Sequence, residues 1–316
     1  MVTWLSCSQV KHVYPTVPDY FGDINYPEDN LPTASRLTLG KQLFFEKALS
    51  IDSTLSCNSC HLHEYALADN LPISLGVDDR LGKRNTPSLY NAGYLDLINK
   101  DGGVSHIDLQ AMVPIEDENE MGISILKVAD RLNTNPNYIN LSHQAYNRAP
   151  DAYVVTRALA TYVRSLISSD SPYDSYMNGD KNTLTTEQEA GRVLFYSDRL
   201  KCGSCHSGFN LTDNSFQNNG LYKEYSDLGR ALITQDKKDI GKFRVPSLRN
   251  ASLTAPYMHD GSLDDMEAVI DHYVSGGSRH INQSADVIGF EITLEERSQL
   301  ISFLEGLTGA TASEPL

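Results

Sequence analysis

Cysteine and tryptophan are scarce in this chain. Its 316 residues include five cysteines and one tryptophan. Four of the five cysteines form two local pairs, which leaves only Cys7. Basic residues are also in deficit, with 26 Lys and Arg against 41 Asp and Glu and a formal net charge of −15. That balance disfavours nucleic acid and anionic membranes as partners. It suits a basic electron-transfer partner, or equally a merely solvated surface. No run of 18 apolar residues occurs, so no transmembrane span is expected. Residues Met1 to Ser8 lack a basic segment and an adequate apolar stretch, so they do not read as a signal peptide. A chain of this length is expected to hold two domains with real cores.

The cysteines that are present carry the main signal. They occur as Cys57-Asn58-Ser59-Cys60-His61 and Cys202-Gly203-Ser204-Cys205-His206. In a C-x-x-C-H motif the two thiols form thioethers with a porphyrin, and the histidine ligates the iron. A lone C-x-x-C also serves as a redox dithiol or as half a zinc site. The histidine directly after each second cysteine, and the recurrence far downstream, favour two covalently bound haem c groups. Such attachment normally happens outside the cytoplasm, so a periplasmic or otherwise extracytoplasmic location is expected. The N-terminus then reads as a mature or shortened form. Leu5-Ser6-Cys7 is either the tail of a lipoprotein signal, with Cys7 lipidated, or holds an incidental cysteine.

The surroundings of the two motifs repeat. Residues 8–36 are rich in Pro, Tyr, Asp and Asn and read as an extended arm over the surface. Leu39, Leu43 and Phe44 share one face of a helix predicted from Thr38 to Phe45, ahead of the first motif. Glu189 to Tyr196 is a similar helix ahead of the second. Asn85-Thr86-Pro87-Ser88-Leu89-Tyr90-Asn91-Ala92 pairs with Arg244-Val245-Pro246-Ser247-Leu248-Arg249-Asn250-Ala251. Asp101-Gly102-Gly103 pairs with Asp260-Gly261-Ser262. Three landmarks in the same order indicate a duplication. Helices are also predicted over Ser124–Leu132 and Ala149–Ser168, the second with Val154, Val155, Ala158, Leu159, Tyr162, Val163 and Leu166 at helical spacing. Thr185 to Glu189 reads as a helix N-terminus, and the tail after Leu307 as frayed. The expected fold is mostly α: two duplicated class I cytochrome c-like haem domains with long loops. The boundaries are an arm at 1–36, a first haem domain at 37–170 and a second at 171–316, joined somewhere in 165–185.

The order of these elements resembles bacterial di-haem cytochrome c peroxidases and their MauG-like relatives. The resemblance spans roughly 37–305 and includes Gln110, Pro114 and the Glu120-Met121-Gly122 segment. It also takes in Thr254-Ala255-Pro256-Tyr257-Met258-His259-Asp260-Gly261. It implies a peroxidatic first haem, with Glu120 as catalytic acid–base and Gln110 and Pro114 lining the same pocket. A carboxylate there can move a proton between the oxygens of hydrogen peroxide. Read without the resemblance, Glu120 is one acid in a solvated run with Glu116, Asp117 and Glu118. Many of the related peroxidases keep a blocking histidine on the loop after the first motif. The loop Ala66 to Arg84 has none, and His63 lies too close to His61 to reach the opposite face. The first haem is therefore expected to be open and high-spin.

The resemblance makes the second haem the electron port. Its distal ligand would be Tyr273, with His272 and Met258 as alternatives and burial of Tyr273 as packing the bland reading. A phenolate stabilises oxidised iron, which favours storing an oxidising equivalent there. His259 would make a structural hydrogen bond near this haem. The resemblance also implies one calcium ion, held by the Asn85 side chain and the backbone carbonyls of Thr254 and Pro256. Hard oxygen donors suit it, although a hydrogen-bonded turn would look the same. One departure stands out: the family often has a tryptophan between the haems, immediately before the Asp-Gly pair, and this chain has Lys100.

The leading expectation is an enzyme that reduces peroxide at the first haem, fed through the second by a small cytochrome or copper protein. The alternative is a MauG-like enzyme that uses peroxide to oxidise residues of a partner protein. A pure di-haem electron carrier is a third reading, against which Glu120 argues. The resemblance is compatible with a homodimer or a monomer.

Overall fold

Each C-x-x-C-H motif follows a helix that carries a glycine where a later helix crosses it. A computed structural model describes residues 11–309; Trp4, Cys7 and the end of the tail lie outside them. The helices are α1 (Ala34–Phe44), α2 (Ile107–Gln110), α3 (Met112–Glu116), α4 (Ile125–Leu132), α5 (Pro136–Tyr146), α6 (Ala152–Arg164), α7 (Pro172–Met177), α8 (Thr186–Phe195), α9 (Ala231–Thr234), α10 (Met266–Ser275) and α11 (Leu294–Glu305). Among the described residues the sheet content is one antiparallel pair, β1 (Phe216–Gln217) and β2 (Phe243–Arg244).

Helix α1 packs on α6, and α8 on α11. A Cβ on Gly40 would sit 2.1 Å from the Ala158 carbonyl oxygen, and one on Gly191 would sit 1.9 Å from that of Gln299. Only a residue without a Cβ allows either crossing. Apolar side chains seal both. Leu39, Leu43, Phe44, Val155, Leu159 and Tyr162 belong to one buried cluster. Phe195, Leu211, Ile270, Leu300 and Phe303 belong to another. A fully buried Leu or Phe contributes about 1.5–3 kcal/mol, so each crossing is held by several such side chains.

The repeat read from sequence has counterparts in backbone geometry. Asn91 and Asn250 both adopt left-handed conformations, at φ 58° and 57°. Each leads into a short 3-10 turn, Ala92–Tyr94 and Ala251–Leu253. The Asp-Gly segments are closed by equivalent bridges, Ile98 to Val104 and Tyr257 to Leu263. The two asparagines converge on Ser168: Asn91 Nδ2 donates to its carbonyl and Asn250 Nδ2 to its hydroxyl, both at 2.9 Å.

Local capping explains the helix ends. Thr33 Oγ1 accepts the Arg36 amide, so α1 begins four residues before the expected Thr38. Helix α4 begins at the predicted place with Ser124 as its cap. Asp151 caps α6 and Arg164 ends it, which trims the predicted 149–168 helix at both sides. Thr185 and Gln188 form a capping box on α8. The arm differs from a strip laid on the surface. Asn30 is fully buried, donating to Asp108 Oδ1 and the Arg157 carbonyl. Phe21 is buried against Phe209, with ring centroids 4.7 Å apart. The arm therefore pins residues from both sequence halves.

Candidate active site

Both C-x-x-C-H motifs fold as one turn of 3-10 helix, Cys57–Ser59 and Cys202–Ser204. The first turn is fixed by a Ser56–Ser59 capping box. His61 Nδ1 lies 2.8 Å from the Leu67 carbonyl and His206 Nδ1 lies 3.1 Å from that of Leu211. A carbonyl only accepts, so Nδ1 donates and Nε2 keeps its lone pair for a metal. Burial lowers the pKa of both imidazoles, which keeps them neutral, as an iron ligand must be. Burial pushes the thiols of Cys57 and Cys202 up to about 12 and that of Cys60 to about 11. A redox dithiol would need the opposite shift. Among the described residues no three His, Cys, Asp or Glu side chains converge as a metal centre, so neither motif is completed into a zinc site.

The second motif opens on a cavity of about 360 Å³, within the range of ligand pockets, roughly 300–1,000 Å³. Cys202, Cys205 and His206 line it, and so do Tyr273, Met258 and His259. Its polar wall includes Lys100 and Arg244. Arg244 Nε is buried without a partner, and burial lowers this guanidinium to about 10. An apolar chamber with an unpartnered cation on its wall fits haem, whose ring is apolar and whose propionates are anionic. Arg244 escaped the sequence reading as a binding residue. Its place in the Pro-Ser-Leu-Asn repeat, opposite Asn85, was the available signal.

The three candidates for the second haem's distal position cluster around Asn219. His272 Nε2 bonds the Asn219 carbonyl at 3.0 Å, and Met258 Sδ accepts from Asn219 Nδ2 at 3.2 Å. Burial raises Tyr273 to about 12, while a hydrogen bond with Asn219 pulls the other way. Tyr273 and Met258 reach the cavity wall, whereas His272 is turned toward Asn219. His259 stacks on Phe243 with centroids 4.1 Å apart, and its carbonyl accepts the Asn85 amide.

Of the residues expected around the first motif, Gln110 ends α2, Pro114 lies in α3 and Glu120 follows on the loop. That loop is fixed from both sides: the Pro114 carbonyl accepts the Met121 amide, and the Glu120 carbonyl accepts the Val77 amide. The Glu120 side chain is exposed, yet surrounding protein desolvates it enough to raise its pKa. Asp117 raises it further and Lys83 opposes. Its charge is felt at the Cys60 thiol. Gln110 Oε1 is buried without a partner. His63 is exposed on a separate 3-10 turn.

A seam joins the two motifs. Asn85 is buried; its Nδ2 donates to the Leu71 carbonyl, so its Oδ1 faces the other way. There it meets Lys100 Nζ at 3.5 Å, and the same nitrogen donates to the Met258 carbonyl at 3.2 Å. Thr254 and Pro256 line the adjoining cavity. Of the expected calcium set of Asn85, Thr254 and Pro256, the Asn85 side chain is therefore already engaged. Its one side-chain oxygen already faces a lysine amine, whose pKa burial lowers to about 7, and a cation placed there would compete with that amine for the same oxygen.

A family model described as di-haem cytochrome c peroxidase matches residues 34–182. Methylamine utilization protein MauG of Methylorubrum extorquens is 34% identical over 294 residues, covering 92% of this chain and 83% of that protein. Cytochrome c551 peroxidase of Pseudomonas aeruginosa is 31% identical, covering 86% and 78%. A solved MauG-like protein associated with microbial copper homeostasis superposes with a TM-score of 0.90 at 31% identity, over 94% of this chain and 96% of that one. The diheme peroxidase BthA of Burkholderia thailandensis shares the fold, with a TM-score of 0.78 at 18% identity.

Proposed function

We propose, since this chain belongs to the family of di-haem cytochrome c peroxidases that includes MauG, a division of labour between its two haem sites. Membership makes the protein a peroxide-dependent oxidoreductase with two haem c groups. Once attached, haem supplies an iron that binds peroxide or exchanges single electrons. The work of the chain is to hold each haem and to move protons beside it.

At the first site, Cys57 and Cys60 supply the thioether sulfurs and His61 the Nε2 ligand. Glu120 acts as acid–base: its carboxylate takes a proton from one peroxide oxygen and returns it to the other, so that water can leave. The raised pKa of Glu120 brings it closer to neutrality, where such a group works best. Gln110 orients peroxide through its otherwise unpartnered Oε1, and Pro114 shapes the wall. Two electrons and two protons per peroxide give two waters.

At the second site, Cys202, Cys205 and His206 would hold the haem, and Tyr273, on the wall of the same cavity, would serve as its second protein ligand. The observation that carries this asymmetry is that Tyr273 lines the cavity also lined by His206. Arg244, with its unpartnered Nε on the cavity wall, would meet the haem's anionic propionates, with His259 on the same wall. Electrons arrive here from a small cytochrome or copper protein. The MauG-like alternative, oxidation of residues in a partner protein, draws on the same tyrosine, because an anionic donor favours the oxidised haem. We read residues 1–36 as an arm, 37–170 as the peroxidatic unit and 171–316 as the electron-transfer unit. Both units are class I cytochrome c-like, and the paired helix crossings support that reading. A periplasmic or otherwise extracytoplasmic setting belongs to the same proposal, which is compatible with a homodimer or a monomer. No helix among the described residues is long and apolar enough to cross a membrane.

The test adds one equivalent of hydrogen peroxide to the oxidised holoprotein without any reductant. The expected result is an immediate change in the haem spectrum, reversed by a reduced small cytochrome. A protein that responds only after prior reduction contradicts the open first site, and one that never responds contradicts the enzymatic reading.

A further inference from the structure

We propose that Lys100 replaces the inter-haem calcium ion, bridging the two halves with its amine and leaving the protein calcium-independent. The inference uses the family assignment but not the assignment of roles to Glu120 and Tyr273.

The residue is tethered at both ends. Its carbonyl accepts the Arg244 amide at 2.7 Å, which ties it to β2. Its Nζ reaches the Met258 carbonyl at 3.2 Å and Asn85 Oδ1 at 3.5 Å. Asn85 follows the first motif in sequence and Met258 follows the second, so one amine spans the seam that a shared cation would span. Asn85 cannot turn its oxygen elsewhere without giving up its Nδ2 bond to the Leu71 carbonyl.

The surroundings also lack what calcium needs. Calcium takes 6–8 oxygen donors, commonly with carboxylates among them. The nearby carboxylates are already engaged. Asp101 and Asp227 both pair with Arg84 at 2.6 Å, Asp260 accepts the Tyr222 hydroxyl at 2.6 Å, and the buried Asp69, whose charge also acts on Lys100, accepts the Leu71 amide and the Ser74 and Thr86 hydroxyls. Arg84, Lys100 and Arg244 already bring three basic groups to this region. A lysine amine is a compact donor on a flexible stem. It can satisfy the two oxygens without six or more ligands.

The experiment measures calcium by elemental analysis in holoprotein carrying both haems, before and after treatment with EGTA. The expected result is calcium far below one ion per chain in both samples, with haem spin states unchanged by EGTA or by added calcium chloride. One ion per chain retained through gel filtration, or a spin-state change on chelation, overturns the proposal. A second arm uses Lys100→Met, which removes the amine and frees Asn85 Oδ1. Calcium chloride is expected to raise the melting temperature of this variant and not that of the parent protein. A variant that ignores calcium, or a parent protein stabilised by it, overturns the proposal. If the variant fails to load haem, the calcium content and chelation response of the parent protein still decide. A calcium-free protein inert to peroxide would sink the peroxidase reading while leaving this one standing.

Discussion

Around Cys57–His61 and Cys202–His206 the chain uses the same devices: a 3-10 turn, a proximal imidazole locked through Nδ1, and a preceding helix crossed at a glycine. The regions differ in the polar groups around them. Near the first lies a carboxyl group with a raised pKa, whose charge reaches the Cys60 thiol. Near the second lie a tyrosine raised to about 12 and an arginine nitrogen without a partner. On the proposed assignment, shared machinery holds a haem, and the unshared wall decides what that haem does. A duplicated chain can therefore keep its attachment chemistry fixed while its two sites diverge.

The largest expected effect comes from removing the first wall's acid. Glu120→Gln keeps the shape and loses the titrating group. Peroxide reduction should slow by roughly 10²–10⁴-fold, the usual worth of a positioned acid–base, with haem content unchanged. Rapid-mixing spectroscopy checks this, and an unchanged rate would show that another group moves the proton. Next comes the second wall. Tyr273→Phe removes the phenol oxygen, and we expect the low-spin signal of the second haem to be lost or shifted while the first haem's signal stays. A spectrum identical to that of the parent protein would return Tyr273 to a packing role.

The smallest effects should fall equally on both halves, because they touch what the halves share. Gly40→Ala and Gly191→Ala each gain helix propensity of about 1 kcal/mol. Each also drives a methyl into backbone oxygen at 2.1 or 1.9 Å. Backbone at that distance yields only if the helices separate, so the clash should win. A net loss of about 1–3 kcal/mol is expected for each, read by chemical denaturation of the holoprotein. A loss at one glycine and none at the other would break the structural equivalence of the crossings.

Much of the helical framework was legible from periodicity and caps. Helices α4, α6 and α8 sit where Ser124, the Val154–Leu166 stripe and Thr185 suggested. Helix α5 was not anticipated, since its buried residues are only Tyr138, Ser142 and Ala145. Helix α11 was missed as well, although Thr293 and Glu296 form a capping box. The motifs gave the haem sites, and the resemblance named Glu120 and Tyr273. The burial of Asn30 and the reach of Lys100 to Met258, 158 positions away, leave no local trace in the sequence. Contacts of that span have no periodicity, so only the folded chain reveals them.

Electron paramagnetic resonance of the resting oxidised holoprotein tests the asymmetry most directly. The account predicts two distinct signals, a high-spin haem at Cys57–His61 and a low-spin haem at Cys202–His206. Two low-spin haems would contradict it.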